Sequence, residues 1–68
     1  MEIFSQRLKE LRFKKGLSLA ELAKETNINK GTLIKWEEGK SIPRTKNFII
    51  LVKFFGVSSD YLLGFEDD

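Results

Sequence analysis

The sequence predicts an all-α domain of five short helices, and three observations carry that prediction. Apolar residues recur at helical spacing along most of the chain. Helix-starting residues (Ser18, Asn29, Ser58) and helix-ending glycines (Gly16, Gly39, Gly56, Gly64) punctuate it at short intervals. No stretch alternates with the period of two that a half-buried strand requires.

In the first helix Phe4, Leu8 and Leu11 fall on one face, with Arg7, Lys9, Glu10 and Arg12 between them, and Gly16 ends it. Ser18 then stands before Leu19-Ala20-Glu21-Leu22-Ala23, with Glu21 three residues on. That is a capping box: the serine oxygen accepts an amide hydrogen from the first turn, and the glutamate returns a bond to the cap. The second helix is brief and is interrupted at Thr26-Asn27, where asparagine tolerates the left-handed conformation of a tight turn. Asn29 offers the next N-cap, so a third helix spans residues 29–38, with Leu33 and Trp36 sharing one face and Gly39 closing it. Ser41-Ile42-Pro43 is a loop holding the only proline. A fourth helix runs from about Thr45 to Phe55. Ser58 caps a last turn, Asp60-Tyr61-Leu62-Leu63, ended by Gly64. Helices this short are unstable in isolation, so tertiary packing must hold each of them.

The totals bound what such a chain can do. Its 68 residues make one domain near the lower size limit for folding without a staple. Cysteine and histidine are both absent, so there is no disulfide, and no metal or other cofactor is expected. Stability must come from packing, about 3–5 kcal/mol for a core of this size unless a second subunit adds to it. A 41% hydrophobic fraction with six Phe and one Trp suffices for that core. Residues 1–6 start acidic without a long apolar run, and residues 48–52 are too few to span a bilayer. A cytoplasmic location without membrane contact is the expectation.

Net charge is only +2, but its distribution is uneven. Six basic residues lie between Asn29 and Lys53 against Glu37 and Glu38, while Glu66, Asp67 and Asp68 close the chain. The middle is basic, as a nucleic-acid surface would be, and the end acidic. Residues 1–64 are accordingly taken as the domain and 65–68 as an acidic tail.

The informative unit is residues 19–38. Two short helices joined by a turn at Asn27, with small Ala23 where they meet and Leu22, Ile28, Leu33 and Trp36 as a shared apolar core, form a helix-turn-helix pattern. At this point the chain resembles the Cro and lambda-repressor-like, or Xre-type, helix-turn-helix family over residues 4–63. The resemblance is carried by Arg7-Leu8-Lys9-Glu10-Leu11-Arg12, Gly16-Leu17-Ser18, Glu21-Leu22-Ala23 and Gly31-Thr32-Leu33-Ile34-Lys35-Trp36-Glu37-Glu38-Gly39. Pro43 and Gly56-Val57-Ser58-Ser59-Asp60-Tyr61-Leu62-Leu63 continue it. Two positions depart from the family: Leu19 stands where glutamine is usual, and Asn27 where the turn usually has glycine. The phosphate and bracing contacts of that glutamine cannot be carried over to Leu19.

The resemblance implies a sequence-specific, double-stranded DNA-binding transcriptional regulator, a repressor by expectation, whose third helix enters the major groove. With Leu33 and Trp36 turned inward, Lys30, Gly31, Ile34 and Lys35 face outward as base-reading candidates. Either lysine could donate to guanine, Gly31 allows close backbone approach, and Ile34 could meet a thymine methyl. The competing account leaves the lysines solvated or on phosphates and Ile34 as an ordinary surface apolar residue. Ser18, Thr32, Lys40, Arg44 and Lys46 read as phosphate contacts; a hydrated charged loop is the alternative for Lys40 and Arg44, which together with Lys30 and Lys35 would make binding fall steeply with salt. The family pairs an arginine late in its first helix with the glutamate after the aromatic of its third. Arg12 and Glu37 stand at those positions as a structural ion pair, unless both are simple surface charges. Trp36 could stack on single-stranded nucleic acid, but its register with Leu33 makes it a core residue.

In the fourth helix Phe48, Leu51, Val52 and Phe55 form the inward stripe, which leaves Ile50 and Phe54 on a different face. With Phe65 they suggest a homodimer interface that would present two recognition helices ~34 Å apart to a palindromic operator. The alternative is that these residues, like Phe13, only thicken a small core. A second functional class is a protein-interaction module, such as an antitoxin-like subunit using the same fold. Enzymatic activity is not expected, since no histidine or cysteine supplies a base or nucleophile and no glycine loop cradles a phosphate. No small-molecule ligand is evident.

Overall fold

The computed structural model describes residues 2–67, apart from the side chain of Glu2; Met1 and Asp68, the last residue of the expected tail, lie outside the described residues. Among those residues every regular element is a helix: α1 (Glu2–Lys14), α2 (Leu19–Thr26), α3 (Lys30–Glu37), α4 (Thr45–Phe55) and α5 (Ser59–Leu63). None of them is long and apolar enough to cross a membrane.

The helix boundaries follow side-chain chemistry. Ser18 Oγ accepts from the Glu21 amide at 3.0 Å, and the Glu21 carboxylate accepts from the Ser18 amide at 2.8 Å. That hydrogen bond from the Ser18 amide, followed by the serine side chain, holds the Glu21 carboxyl below its ordinary pKa. Asn29 Oδ1 accepts from Gly31 and Thr32 at 2.8 and 3.3 Å, and Ser58 Oγ accepts from Tyr61 at 3.0 Å. Asn27 is the only described non-glycine residue at positive φ, 60°, and forms the turn between α2 and α3.

Thr26 differs from the expectation that it interrupts α2. It is the last helical residue and buried, its hydroxyl donating to the Leu22 carbonyl at 2.7 Å. α3 is one residue shorter at each end than residues 29–38, because Asn29 and Glu38 serve as its caps.

All five helices supply the core. Phe4, Leu8 and Leu11 of α1 meet Leu22 of α2, Ile28 of the turn, Leu33 and Trp36 of α3, Leu51 of α4 and Leu62 of α5. Phe4 is the pivot: its ring lies edge-on to Trp36 with centroids 6.4 Å apart and tilted on Phe48 at 6.2 Å. α1 packs on α3 and α5, α2 on α3 and α4, and α4 on α5. The α2–α3 pair is thus braced by α1 and α4.

α4 departs from the simple stripe read from sequence. Only Leu51 is fully buried; Phe48, Val52 and Phe55 are half-buried, and so are Ile50 and Phe54, which pack against the core from its flank. Ile50 and Phe54 therefore do not stand on a wholly open face. The reason is breadth of contact: α4 touches both α2 and α5, so more than one of its faces is covered. Phe54 also lies edge-on to Phe55 at 5.0 Å, with the Lys15 ammonium 5.2 Å from its ring centre. The outermost apolar residue of α4 is Ile49.

Candidate nucleic-acid interface

α3 is an eight-residue helix with an inner and an outer side. Leu33 and Trp36 are buried at 0% and 3% exposure, and Glu37 is buried beside them. Lys30, Gly31 and Lys35 are exposed. Among the described residues neither lysine has an ion-pair partner, so both ammonium groups stand free, Lys30 at the exposed start of α3 and Lys35 on its outer side.

Gly31 has an internal explanation beyond close approach to a ligand. A Cβ there would lie 3.0 Å from Asn29 Oδ1, the oxygen that caps the helix. Glycine keeps that cap uncrowded.

Ile34 is not simply solvent-facing. It is half-buried, and it shares the lining of an open hollow of about 310 Å³ with Phe13 of α1 and Leu19 of α2. Leu19, itself half-buried, is the first residue of α2. Phe13 remains 64% exposed. Sequence reasoning noticed Phe13 and Leu19 only as oddities. The signal that could have joined them was three apolar residues on three successive helices, of which only Leu19 also packs against the core.

The phosphate candidates are spread over several elements. Ser18 is exposed at the start of α2; its oxygen is occupied as an acceptor, but its hydroxyl hydrogen is still available to donate. Thr32 is half-buried in the first turn of α3. Arg44 occupies the N-cap position of α4 in extended backbone without a side-chain cap bond, and its side chain is exposed, as is that of Lys46. Lys40 is exposed too, but its ammonium lies 3.1 Å from the Glu38 carboxylate, so a phosphate would have to compete for it. At an exposed pair that competition is weak, since such bridges contribute about 0–1 kcal/mol.

What orients α3 is a buried polar joint. Arg12 Nε and Nη2 donate to the two carboxylate oxygens of Glu37 at 2.7 and 2.9 Å, and Nη1 donates to the Leu17 carbonyl at 2.9 Å. Both residues are only 8% exposed. The hydrogen bond to Glu37 raises the Arg12 pKa above its already high ordinary value, against the opposing effect of burial. A planar guanidinium gripping a carboxylate at two points fixes direction as well as distance. It locks the end of α1 to the end of α3.

Residues 66 and 67 of the segment after Gly64 are held by the rest of the chain. Arg7 donates to the carbonyl oxygens of Tyr61 and Glu66, the latter at 2.6 Å, and lies 4.4 Å over the Tyr61 ring. Ser58 donates to the Glu66 carboxylate. Phe65 itself is 80% exposed. Contact thus continues past Gly64, where the sequence suggested that the domain ends.

A profile of the helix-turn-helix family matches residues 8–62. The chain is 34% identical over 64 residues to an HTH-type transcriptional activator, BcrR, of Enterococcus faecalis, covering 94% of this chain and 31% of that protein. It is 38% identical over 71 residues to the 26 kDa repressor protein of Escherichia phage HK022, covering 98% and 30%. It is 39% identical over 59 residues to the HTH-type transcriptional regulator ImmR of Bacillus subtilis (strain 168), covering 87% and 46%. The chain spans less than half the length of each of these relatives. No solved structure gives a significant match.

Proposed function

The chain belongs to the helix-turn-helix family, and on that premise we propose that it binds double-stranded DNA as a transcriptional regulator, acting as a repressor in the cytoplasm. α3 enters the major groove. Lys30 and Lys35 donate to base edges, Gly31 brings the backbone close, and Ile34 meets an apolar base group. Ser18, Thr32, Lys40, Arg44 and Lys46 hold phosphates and set the register.

The observation that carries this reading is the two free lysines, one at the exposed start and one on the outer side of a helix whose inner side is locked by Leu33, Trp36 and the Arg12–Glu37 joint. A rigid helix with free donors suits base reading, because positioning is settled before the ligand arrives. Among the relatives, a repressor and an activator share this segment by name, so it serves regulation of either sign; the phage repressor inclines the reading to repression.

The same reading includes a homodimer on a palindromic operator. Phe65 and Ile49 are exposed, and Ile50 and Phe54 retain part of their surface. Together they offer apolar area that a second copy could cover through α4, α5 and the segment beyond.

Selection of bound sequences from a random duplex library tests the proposal. The expected result is a two-part site whose halves lie about one helical turn apart, with affinity falling steeply as salt rises. Enrichment of no sequence, or binding that ignores salt, would refute it.

A further inference from the structure

Leu19, Ile34 and Phe13 pose a problem for a surface meant to lie on DNA. A phosphate offers nothing to an apolar side chain, yet three such residues from three helices share one hollow of about 310 Å³ with Lys9, Glu38 and the paired Arg12 and Glu37. Leu19 packs in part against the core and Ile34 is half-buried, while Phe13 is mostly exposed, so each keeps some apolar surface outside the core. Ile34 belongs to α3, the helix assigned to the groove, so the hollow lies beside that helix. The major groove carries one apolar group, the C5-methyl of thymine.

We infer that Leu19 and Ile34 together form a methyl-reading surface that selects thymine at one position of each half-site, with Leu19 acting as a direct base-reading residue. This rests on α3 lying in the groove and extends it, because it assigns specificity to a residue of α2. The physics is asymmetric. A thymine methyl set against the two side chains removes apolar area from water on both partners. Any other base at that position leaves the apolar surface facing polar base edges or trapped water. Leu19 thus replaces hydrogen-bonded bracing by a shape-and-methyl contact. Phe13 walls the far side and, with the Arg12 guanidinium 4.6 Å from its ring centre, is held in place.

The test uses the duplex recovered from the random library and replaces each thymine in turn by uracil, which deletes only the methyl. Binding is measured for the wild-type chain, Leu19→Gln and Ile34→Ala, each checked for helicity. The expected result is one position per half-site where uracil weakens wild-type binding about fourfold, roughly the worth of one methyl group removed from water. At that position both variants bind thymine and uracil duplexes alike. If no uracil substitution matters while the chain still binds its site, this inference is overturned and the lysine reading stands. A uracil effect that persists in both variants overturns it equally. Failure of the wild type to bind any duplex overturns both. Should Leu19→Gln or Ile34→Ala instead alter sedimentation of the DNA-free chain, with the uracil profile unchanged, the hollow receives a second copy and the inference falls.

Discussion

Arg12 and Arg7 both leave α1 to hold a distant piece of the chain, yet one works in the interior and the other at the edge. Arg12 grips a buried carboxylate at two points and leaves no water between them. Arg7 collects two carbonyl oxygens and a tyrosine ring, and the Asp67 carboxylate beside it lies 4.0 Å off and fully in solvent. The partners differ in what happens when the arginine is lost. Glu37 would be stranded as a buried charge, whereas the partners of Arg7 could turn to water. Burial of the abandoned partner, rather than the number of bonds, sets the cost.

Arg12→Ala breaks the comparison at its strongest point and should cost about 3–5 kcal/mol, because it leaves Glu37 uncompensated. Urea unfolding of the two chains measures this; a loss below about 1 kcal/mol would show that the joint is already wet. The double change Arg12→Met with Glu37→Leu removes both charges and should recover most of that stability. It would nonetheless lose the two-point geometry, so weaker DNA binding at near-normal stability is the expected combination, read by titration with operator duplex. Arg7→Ala should cost less, about 1–2 kcal/mol, through its charged hydrogen bonds and ring contact. Salt sharpens the contrast: repeating both urea series in 1 M NaCl should shrink the Arg7 effect more than the Arg12 effect, since buried pairs are little screened.

Two smaller effects concern the caps that frame α2 and α3. Gly31→Ala would ordinarily gain up to ~1 kcal/mol from helix propensity. Here the new Cβ meets the capping oxygen of Asn29 at 3.0 Å, so the midpoint of thermal unfolding should not rise. A clear increase would mean that the cap yields easily. Glu21, whose carboxyl is held below its ordinary pKa by the Ser18 amide, contributes stability above the ordinary glutamate range. That contribution disappears as pH falls through the lowered value. Glu21→Gln should therefore flatten the acid limb of the stability curve slightly, as followed by circular dichroism.

Much of the fold was legible because local chemistry and the helical period agree. Ser18, Asn29 and Ser58 each announce a helix start, and the structure puts a capping bond at each. Leu33 and Trp36 could be assigned inward because a three-residue interval places both on one face. The ion-pair positions came from family resemblance, since nothing in charge spacing links residues 25 apart in the chain. Less legible was α4, where nearly every residue from Phe48 to Phe55 is apolar, so periodicity could not say which faces are covered. The same limit hid the Phe13–Leu19–Ile34 hollow. Its members lie on three helices, and only their packing brings them to one surface. The fastening of residues 65–67 by Arg7 was invisible for a similar reason: it uses backbone carbonyls, which carry no sequence signature.

The central claim is that the free lysine donors of α3 read bases while the basic residues around it only anchor. Its most direct test compares Lys30→Ala with Arg44→Ala on the selected duplex and on variants changed one base pair at a time. Lys30→Ala should relax preference at particular base pairs, and Arg44→Ala should weaken every duplex alike while lowering the salt slope by about one. Identical profiles for the two variants would contradict the division between reading and anchoring.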